Sequence, residues 1–204
     1  MKAKFITLEG GEGVGKTTNL AFIEDYLKSR GVSLLRTREP GGTLLGEKVR
    51  EILLHSDHVD AKSELLLVFA ARAQHIQTVI RPALANGQWV LSDRFTDASY
   101  AYQGGGRGID TADIGFLERW VQADLRPDMT LLLDTPVSVG MARARARGPQ
   151  DRFESEADHF FERVRAAYLE RMKGEPDRIR RIDASVDLPL VQAAIAQELD
   201  QLFL

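Results

Sequence analysis

The stretch LEGGEGVGKTTNL, residues 8–20, sets Gly10, Gly15, Lys16 and Thr17 in the spacing G-x-x-x-x-G-K-[ST], with Gly11 and Gly13 adding freedom inside it. Glycine is a poor residue near a helix start unless something must approach the backbone closely. This spacing suits a phosphate chain: backbone N–H groups wrap the anion, the lysine reaches the outer phosphates, and the hydroxyl holds Mg2+. Gly10, Gly11, Glu12, Gly13, Val14, Gly15, Lys16, Thr17 and Thr18 are therefore the candidate nucleotide-binding loop, with Lys16 a catalytic group and Thr17 a metal ligand. Glu12 is the odd member, because polyphosphate repels a carboxylate, so its purpose is something other than holding ATP.

Cations form the second set. Arg38, Arg72 and Arg94 each fall near the end of an apolar run or on a helix that would roof a site, and arginine's planar fork suits phosphate and base edges. Asp93 precedes Arg94, where an ion pair or a helix cap is its ordinary role. Phe69 and Arg72 lie three apart on one helix, so they share a face suited to stacking on a ring and bonding its edge. The segment MARARARGPQDRFE carries Arg143, Arg145, Arg147 and Arg152. A charge run is normally a solvated face, yet phosphoryl transfer is accelerated mostly by positioned positive charge, which a closing lid can deliver.

These residues need a scaffold, and the chain alternates. KFITLEG reads as a strand, and TTNLAFIEDYLKSRG as a helix with Leu20, Ile23, Tyr26 and Leu27 on one face, closed by Gly31. VSLLRTREPGG is a second strand, LLGEKVREILLHS a helix, and SELLLVFAARAQHIQTVIRPALANG a long buried helix with a kink expected at Pro82. QWVLSDRF, MTLLLDTP and RIRRIDAS are further strands. QGGGRGID reads as a loop, and helices follow in TADIGFLERWVQADL, PVSVGMARARARG, EADHFFERVRAAYLERM and LPLVQAAIAQELDQLFL. Strands alternating with helices imply an α/β fold, a parallel sheet covered on both faces, with ligands beyond the carboxyl ends of the strands.

At 204 residues the chain fits one domain, spanning 1–204. With 44% hydrophobic and 28% charged residues it lacks the composition of a disordered chain. A net charge of −3 argues against a protein that coats nucleic acid. The absence of cysteine excludes thiolate chemistry, and the first apolar run breaks at Glu9, too soon for a signal peptide or membrane span. The expectation is a cytoplasmic protein without membrane or nucleic-acid partners.

LEGGEGVGKTT, TREPGGT, LSDRF followed by SYAYQGGGRG, and ARARARG occur in this order and resemble the thymidylate kinases, in the bacterial version of the family. The likeness runs from Phe5 to about Phe153. It implies a three-layer P-loop kinase fold of about five strands with a short arginine-rich lid at about 143–155, ATP as donor, dTMP as acceptor, Mg2+ and a homodimer. The apolar helices around 44–86 are then a candidate interface. The resemblance also implies that Arg38 and Arg94 hold the acceptor phosphate and that Asp93 acts through the Mg2+ hydration shell. Glu12 would engage the sugar 3′-hydroxyl, Ser99 and Gln103 would bond the base edge, and Tyr102 would place its ring against the sugar. Family members often carry their stacking aromatic four residues before the arginine that corresponds to Arg72, where this chain has Val68, leaving Phe69 as the candidate. Some members have arginine where this chain has Gly13; its absence matches those that draw a catalytic arginine from the lid, here Arg147 or Arg152.

A kinase for another monophosphate or a deoxynucleoside stays open at this point, as does a nucleotide-binding switch, although the Asn-Lys-x-Asp signature of GTPases is missing. Lys16→Ala is expected to remove most turnover in a coupled ADP-release assay while leaving the fold intact by circular dichroism, because one loop side chain contributes little to stability. Turnover like the wild type's would overturn the assignment of the loop.

Overall fold

Short apolar runs build the centre of the molecule. The computed structural model describes residues 2–146, 152–154 and 156–203. Among these, β1 (Phe5–Glu9), β2 (Leu34–Arg38), β3 (Trp89–Asp93), β4 (Met129–Asp134) and β5 (Ile179–Asp183) pair in the order β2-β3-β1-β4-β5, every pairing parallel. β1 and β4 are buried at every residue, as strands covered on both faces must be, whereas the edge strand β2 has no fully buried residue. With β3 on one side of β1 and β4 on the other, the loops after these strands converge at one edge of the sheet.

Alternation along β1 assigns the layers. Ile6 and Leu8 face α1 (Lys16–Ser29) through Leu20, Ile23 and Leu27, and α9 (Leu188–Asp200) through Val191, Ile195 and Leu199. Phe5 points the other way, to Ile76, Ile80 and Phe95. On that second face, Phe160, Phe161, Val164 and Tyr168 of α8 (Asp158–Gly174) pack on Leu132 and Ile179. Helices on both faces of a five-stranded sheet are what the alternation predicts.

Two segments differ from the sequence expectation. The long helix from Ser63 is α3 (Ala61–His75), then a π-helical turn at Ile76–Ile80, then the short α4 (Arg81–Ala85). The irregularity lies one turn before Pro82, because the proline ring crowds the carbonyl four residues back and Arg81 N–H reaches Ile76 instead. The second is QGGG, read as loop. A short α5 (Thr96–Ser99) continues as a π-helical stretch over Tyr100–Gly106. A Cβ at Gly105 would stand 2.7 Å from Arg163 O and one at Gly106 2.5 Å from the Phe160 ring, so these glycines admit α8 rather than flexibility. The remaining helices are α2 (Leu44–His55), α6 (Thr111–Gln122) and α7 (Val137–Arg145).

The phosphate loop rests on α7. Gly13 has φ +69, and a Cβ there would stand 1.8 Å from Gly140 O; reciprocally, one at Gly140 would stand 2.5 Å from Glu12 O. The loop is tied to the sheet by Glu9, whose carboxyl accepts from Phe95 N–H and from Tyr168 Oη, both at 2.7 Å. Burial, and then the charge of Asp97, push the Glu9 carboxyl up to about 8 from 4.5, against the pull of Arg94 and the two hydrogen bonds.

Gly140→Ala forces loop and helix apart; overpacking of this kind costs about 1–3 kcal/mol. Denaturant unfolding should show that loss, and ATP titration a weaker affinity. For Glu9 the folded carboxyl holds its proton more tightly than the unfolded one. Its contribution to stability is thus complete below about pH 4.5 and lost as the pH rises through about 8. Glu9→Gln should flatten the fall of the thermal midpoint between about pH 4.5 and 8, and an unchanged slope would refute this.

Candidate functional site

At the carboxyl edge of the sheet lies a cavity of about 760 Å3. Its floor is the loop from Glu12 to Thr18, and its walls include Glu39, Arg50, Leu53, Val68, Arg72, Asp93, Arg94, Phe95, Ser99, Tyr102, Gln103, Arg143 and Phe153. Lys16 Nζ donates to Gly10 O at 3.0 Å and Gly11 O at 2.8 Å. Burial, and then the charge of Arg94, lower the Lys16 pKa, while Glu12, Asp93 and Glu9 oppose them. Gly10 and Gly11 lie behind the loop, on a small hollow shared with Asp134 and Gly140.

Arg94 joins the two halves of the cavity. Its NH1 donates to Gly10 O at 2.9 Å, its NH2 to Glu12 Oε1 at 2.6 Å, and its guanidinium lies 4.6 Å from the Tyr102 ring centroid. Tyr102 Oη donates to the same Glu12 oxygen at 2.8 Å. The loop carboxylate is thus paired with a cation, which offsets its repulsion of phosphate.

Arg50 is a wall residue that the sequence reading did not single out. It donates to Pro40 O at 3.2 Å, and its pKa is lowered by burial and then by the charges of Arg38 and Arg94. A group of mutually repelling guanidiniums is what a dianion would relieve. The signal was available: Arg50 lies four residues after Gly46 and three before Leu53, on the buried stripe of α2, where a charge is out of place. Arg38 itself stands off the cavity wall, half-exposed and paired to Glu47 at 2.7 Å.

Arg72 is set by its neighbours. Its Nε donates to Glu39 Oε2 at 2.7 Å and its NH2 to Phe95 O at 3.1 Å. His75 Nδ1 lies 2.9 Å from the other Glu39 oxygen and its Nε2 2.7 Å from Thr37 Oγ1, so the carboxylate is fixed as well. Arg72 NH1 is left buried without a partner, as are Ser99 Oγ and Asp93 Oδ1, and all three belong to residues of this one cavity. Buried polar atoms are seldom left unpaired, so these mark where a ligand belongs.

Not every candidate comes to the wall. Phe69 is turned into Leu65 and Ile114, with the Arg72 guanidinium 4.6 Å from its ring centroid, and it is Val68 that meets the cavity. Among the lid arginines, Arg143 lines the cavity and donates to Ala184 O at 3.0 Å, while Arg145 is exposed and paired to Asp158 at 2.7 Å. Arg152 lies off the cavity wall, with its NH2 on the buried Glu64 at 2.6 Å. This placement answers the sequence expectation of a catalytic Arg152: the guanidinium is drawn to a buried carboxylate. Arg147 lies outside the described residues. Glu64 and Phe153 are further functional candidates that the sequence reading passed over.

Comparison with known proteins gives one answer along the chain. A sequence model described as thymidylate kinase matches residues 8–195. A thymidylate kinase of Methylococcus capsulatus is 59% identical over 199 residues, covering 98% of this chain and 96% of the relative. One from Pseudomonas putida strain W619 is 60% identical over 193 residues, covering 94% and 93%. The crystal structure of thymidylate kinase from Ehrlichia chaffeensis superposes with a TM-score of 0.81 at 35% identity, covering 98% of this chain and 99% of that one. With the phosphate loop, the arginine group and the unpaired atoms all on one cavity, and relatives matching from end to end, the chain belongs to the thymidylate kinase family.

Proposed function

We propose that the two ends of the cavity divide the thymidylate kinase reaction, ATP + dTMP to ADP + dTDP, between donor and acceptor. The observation that carries this is the set of buried unpaired atoms, Asp93 Oδ1 on the residue whose charge acts on Lys16, and Ser99 Oγ on α5 and Arg72 NH1 on α3. At the donor end, the loop amides and Lys16 hold the phosphates of ATP. Thr17 and Asp93 offer the oxygen donors that Mg2+ prefers, and the unpaired Asp93 Oδ1 fits an ion that keeps several waters. Once bound, Mg2+ would screen charge on the transferring phosphoryl group.

At the acceptor end, Arg94 and Arg50, with Arg38 behind them, receive the phosphate of dTMP and point its oxygen at the donor. Arg72, Ser99 and Gln103 bond the base edge, and Glu12 takes the 3′-hydroxyl. Both reactants are anions, so the residues act by alignment and by charge, and neither a covalent intermediate nor a strong base is required. Arg143 and Arg147 bring the lid's charge to the donor phosphates. A deoxynucleoside acceptor carries no dianion to relieve the repulsion that Arg38 and Arg94 exert on Arg50, which favours a monophosphate. The kinase is a single domain and acts in the cytoplasm; among the described residues no helix is long and apolar enough to cross a membrane. It is a homodimer, joined where Leu45, Ile52, Leu66, Phe116 and Trp120 expose apolar side chains on α2, α3 and α6.

A coupled ADP-release assay with dTMP, dUMP, UMP and thymidine tests this. dTMP should lead, dUMP follow, and UMP and thymidine be poor acceptors; equal use of thymidine would overturn the reading. Tyr102 is held by Glu12 and covered by Arg94, and with its ring against the sugar it would crowd a hydroxyl at C2′. Tyr102→Ala should therefore narrow the dUMP-to-UMP ratio of kcat/KM. An unchanged ratio in a folded variant would move sugar selection to Glu12.

A further inference from the structure

Residues 152–154 stand at the end of the arginine-rich segment, yet they are packed into the body of the protein. Arg152 donates through its backbone N–H to Leu54 O at 3.3 Å and through Nε to Leu53 O at 2.7 Å, both at the end of α2. Its NH2 reaches Glu64 Oε2 on α3 at 2.6 Å. Glu64 is fully buried, and its other oxygen accepts from Gln103 Nε2 at 2.8 Å, with Arg107 Nε 3.3 and 3.4 Å from the two oxygens. One carboxylate therefore holds both a cavity residue and the end of the arginine-rich segment.

Pinned in this way, Phe153 enters the cavity wall. Its ring centroid lies 4.5 Å from the Arg152 guanidinium, it packs against the cluster of Leu53, Val68 and Ala71, and it meets the Tyr102 ring edge-on at 5.8 Å. A pyrimidine that bonds Arg72 and Gln103 by its edge needs a flat apolar surface for its face. α3 presents only the branched Val68, because Phe69 is committed to Leu65 and Ile114. Of the other rings on the wall, Phe95 is packed edge-on against Phe5 at 4.9 Å and lies 5.2 Å from the Arg72 guanidinium, and Tyr102 is engaged by Arg94 and Glu12. Phe153 carries guanidiniums of its own, Arg152 at 4.5 Å and Arg107 at 5.6 Å, and what distinguishes it is its place beside Val68 on the wall.

The geometry points to Phe153 as the base-stacking, specificity-determining residue of the acceptor site, delivered by the end of the arginine-rich segment, with Arg152 and Glu64 as its positioning residues. This rests on the reading of the acceptor end given above. An acceptor that engages Gln103 then acts on the carboxylate that holds Arg152, so base recognition and docking of this segment share a partner.

Steady-state kinetics of Phe153→Ala and Phe153→Leu test the assignment, with thermal melts to establish folding. Phe153→Ala should raise KM for dTMP by about tenfold or more, the scale on which apolar pockets discriminate, leave KM for ATP within about twofold, and narrow the preference for dTMP over dUMP. Val68→Phe in the same chain should recover much of the dTMP affinity by supplying a ring from α3. Phe153→Leu should lose less than Phe153→Ala but still raise KM for dTMP. Glu64→Gln, which still accepts from Gln103 but loses the charge on Arg152, should raise KM for dTMP and be non-additive with Phe153→Ala. An unchanged KM for dTMP, a rise confined to KM for ATP, or additivity of the two changes would overturn the assignment while leaving dTMP phosphorylation itself standing. Failure of the wild-type chain to use dTMP would instead overturn the reading beneath it.

Discussion

The guanidinium of Arg94 joins the phosphate loop to the acceptor half of the cavity. It reaches Gly10 O, Glu12 and, at 3.3 Å, Tyr168 Oη, and it lies over Tyr102. To do so the residue adopts a left-handed backbone, φ +66, at a cost of about 1–2 kcal/mol for a side chain with a Cβ. The backbone N–H is bonded to Leu8 O and the carbonyl to Ser92 Oγ, so the conformation is fixed from both ends. The turn after β3 thereby aims its side chain back across β1, and a loop that must stay polar and open gains a rigid neighbour.

Charge in this site is arranged in opposing sets rather than isolated pairs. Arg38, Arg50 and Arg94 repel one another, whereas Glu12, Glu39 and Glu64 each hold an arginine and a second group. The carboxylates fix geometry; the arginine group supplies attraction for an anion. Buried ion pairs add little net stability, but removing one partner is costly, so such a lattice favours a single arrangement of the wall. Asp97 extends it beneath the sheet edge, with its carboxylate bound by Arg171 and Arg178.

Much of this was legible in the sequence. β1, β3 and β4 show as apolar runs ending in an acidic residue, and the loop has a spacing that backbone chemistry dictates. What escaped has physical reasons. α3 is buried on a broad face that takes in both Val68 and Phe69, so periodicity cannot decide which of two neighbours meets the cavity. QGGG reads as flexible because a sequence shows only that glycine lacks a side chain, not that Phe160 and Arg163 stand where one would be. Glu64, Arg152 and Phe153 come together across 88 and 89 positions of chain, and no local pattern carries such a contact.

The contact between Gly13 and Gly140 bears on how the family can vary. The space that a larger residue at position 13 would occupy is already filled by the backbone of α7, the helix that leads into the arginine run. A loop-borne arginine and an α7 seated this closely thus exclude each other by volume, before any question of charge arises. A side chain at position 13 needs the helix held further off, so the residue at 13 and the seating of α7 are interlocking parts of one choice.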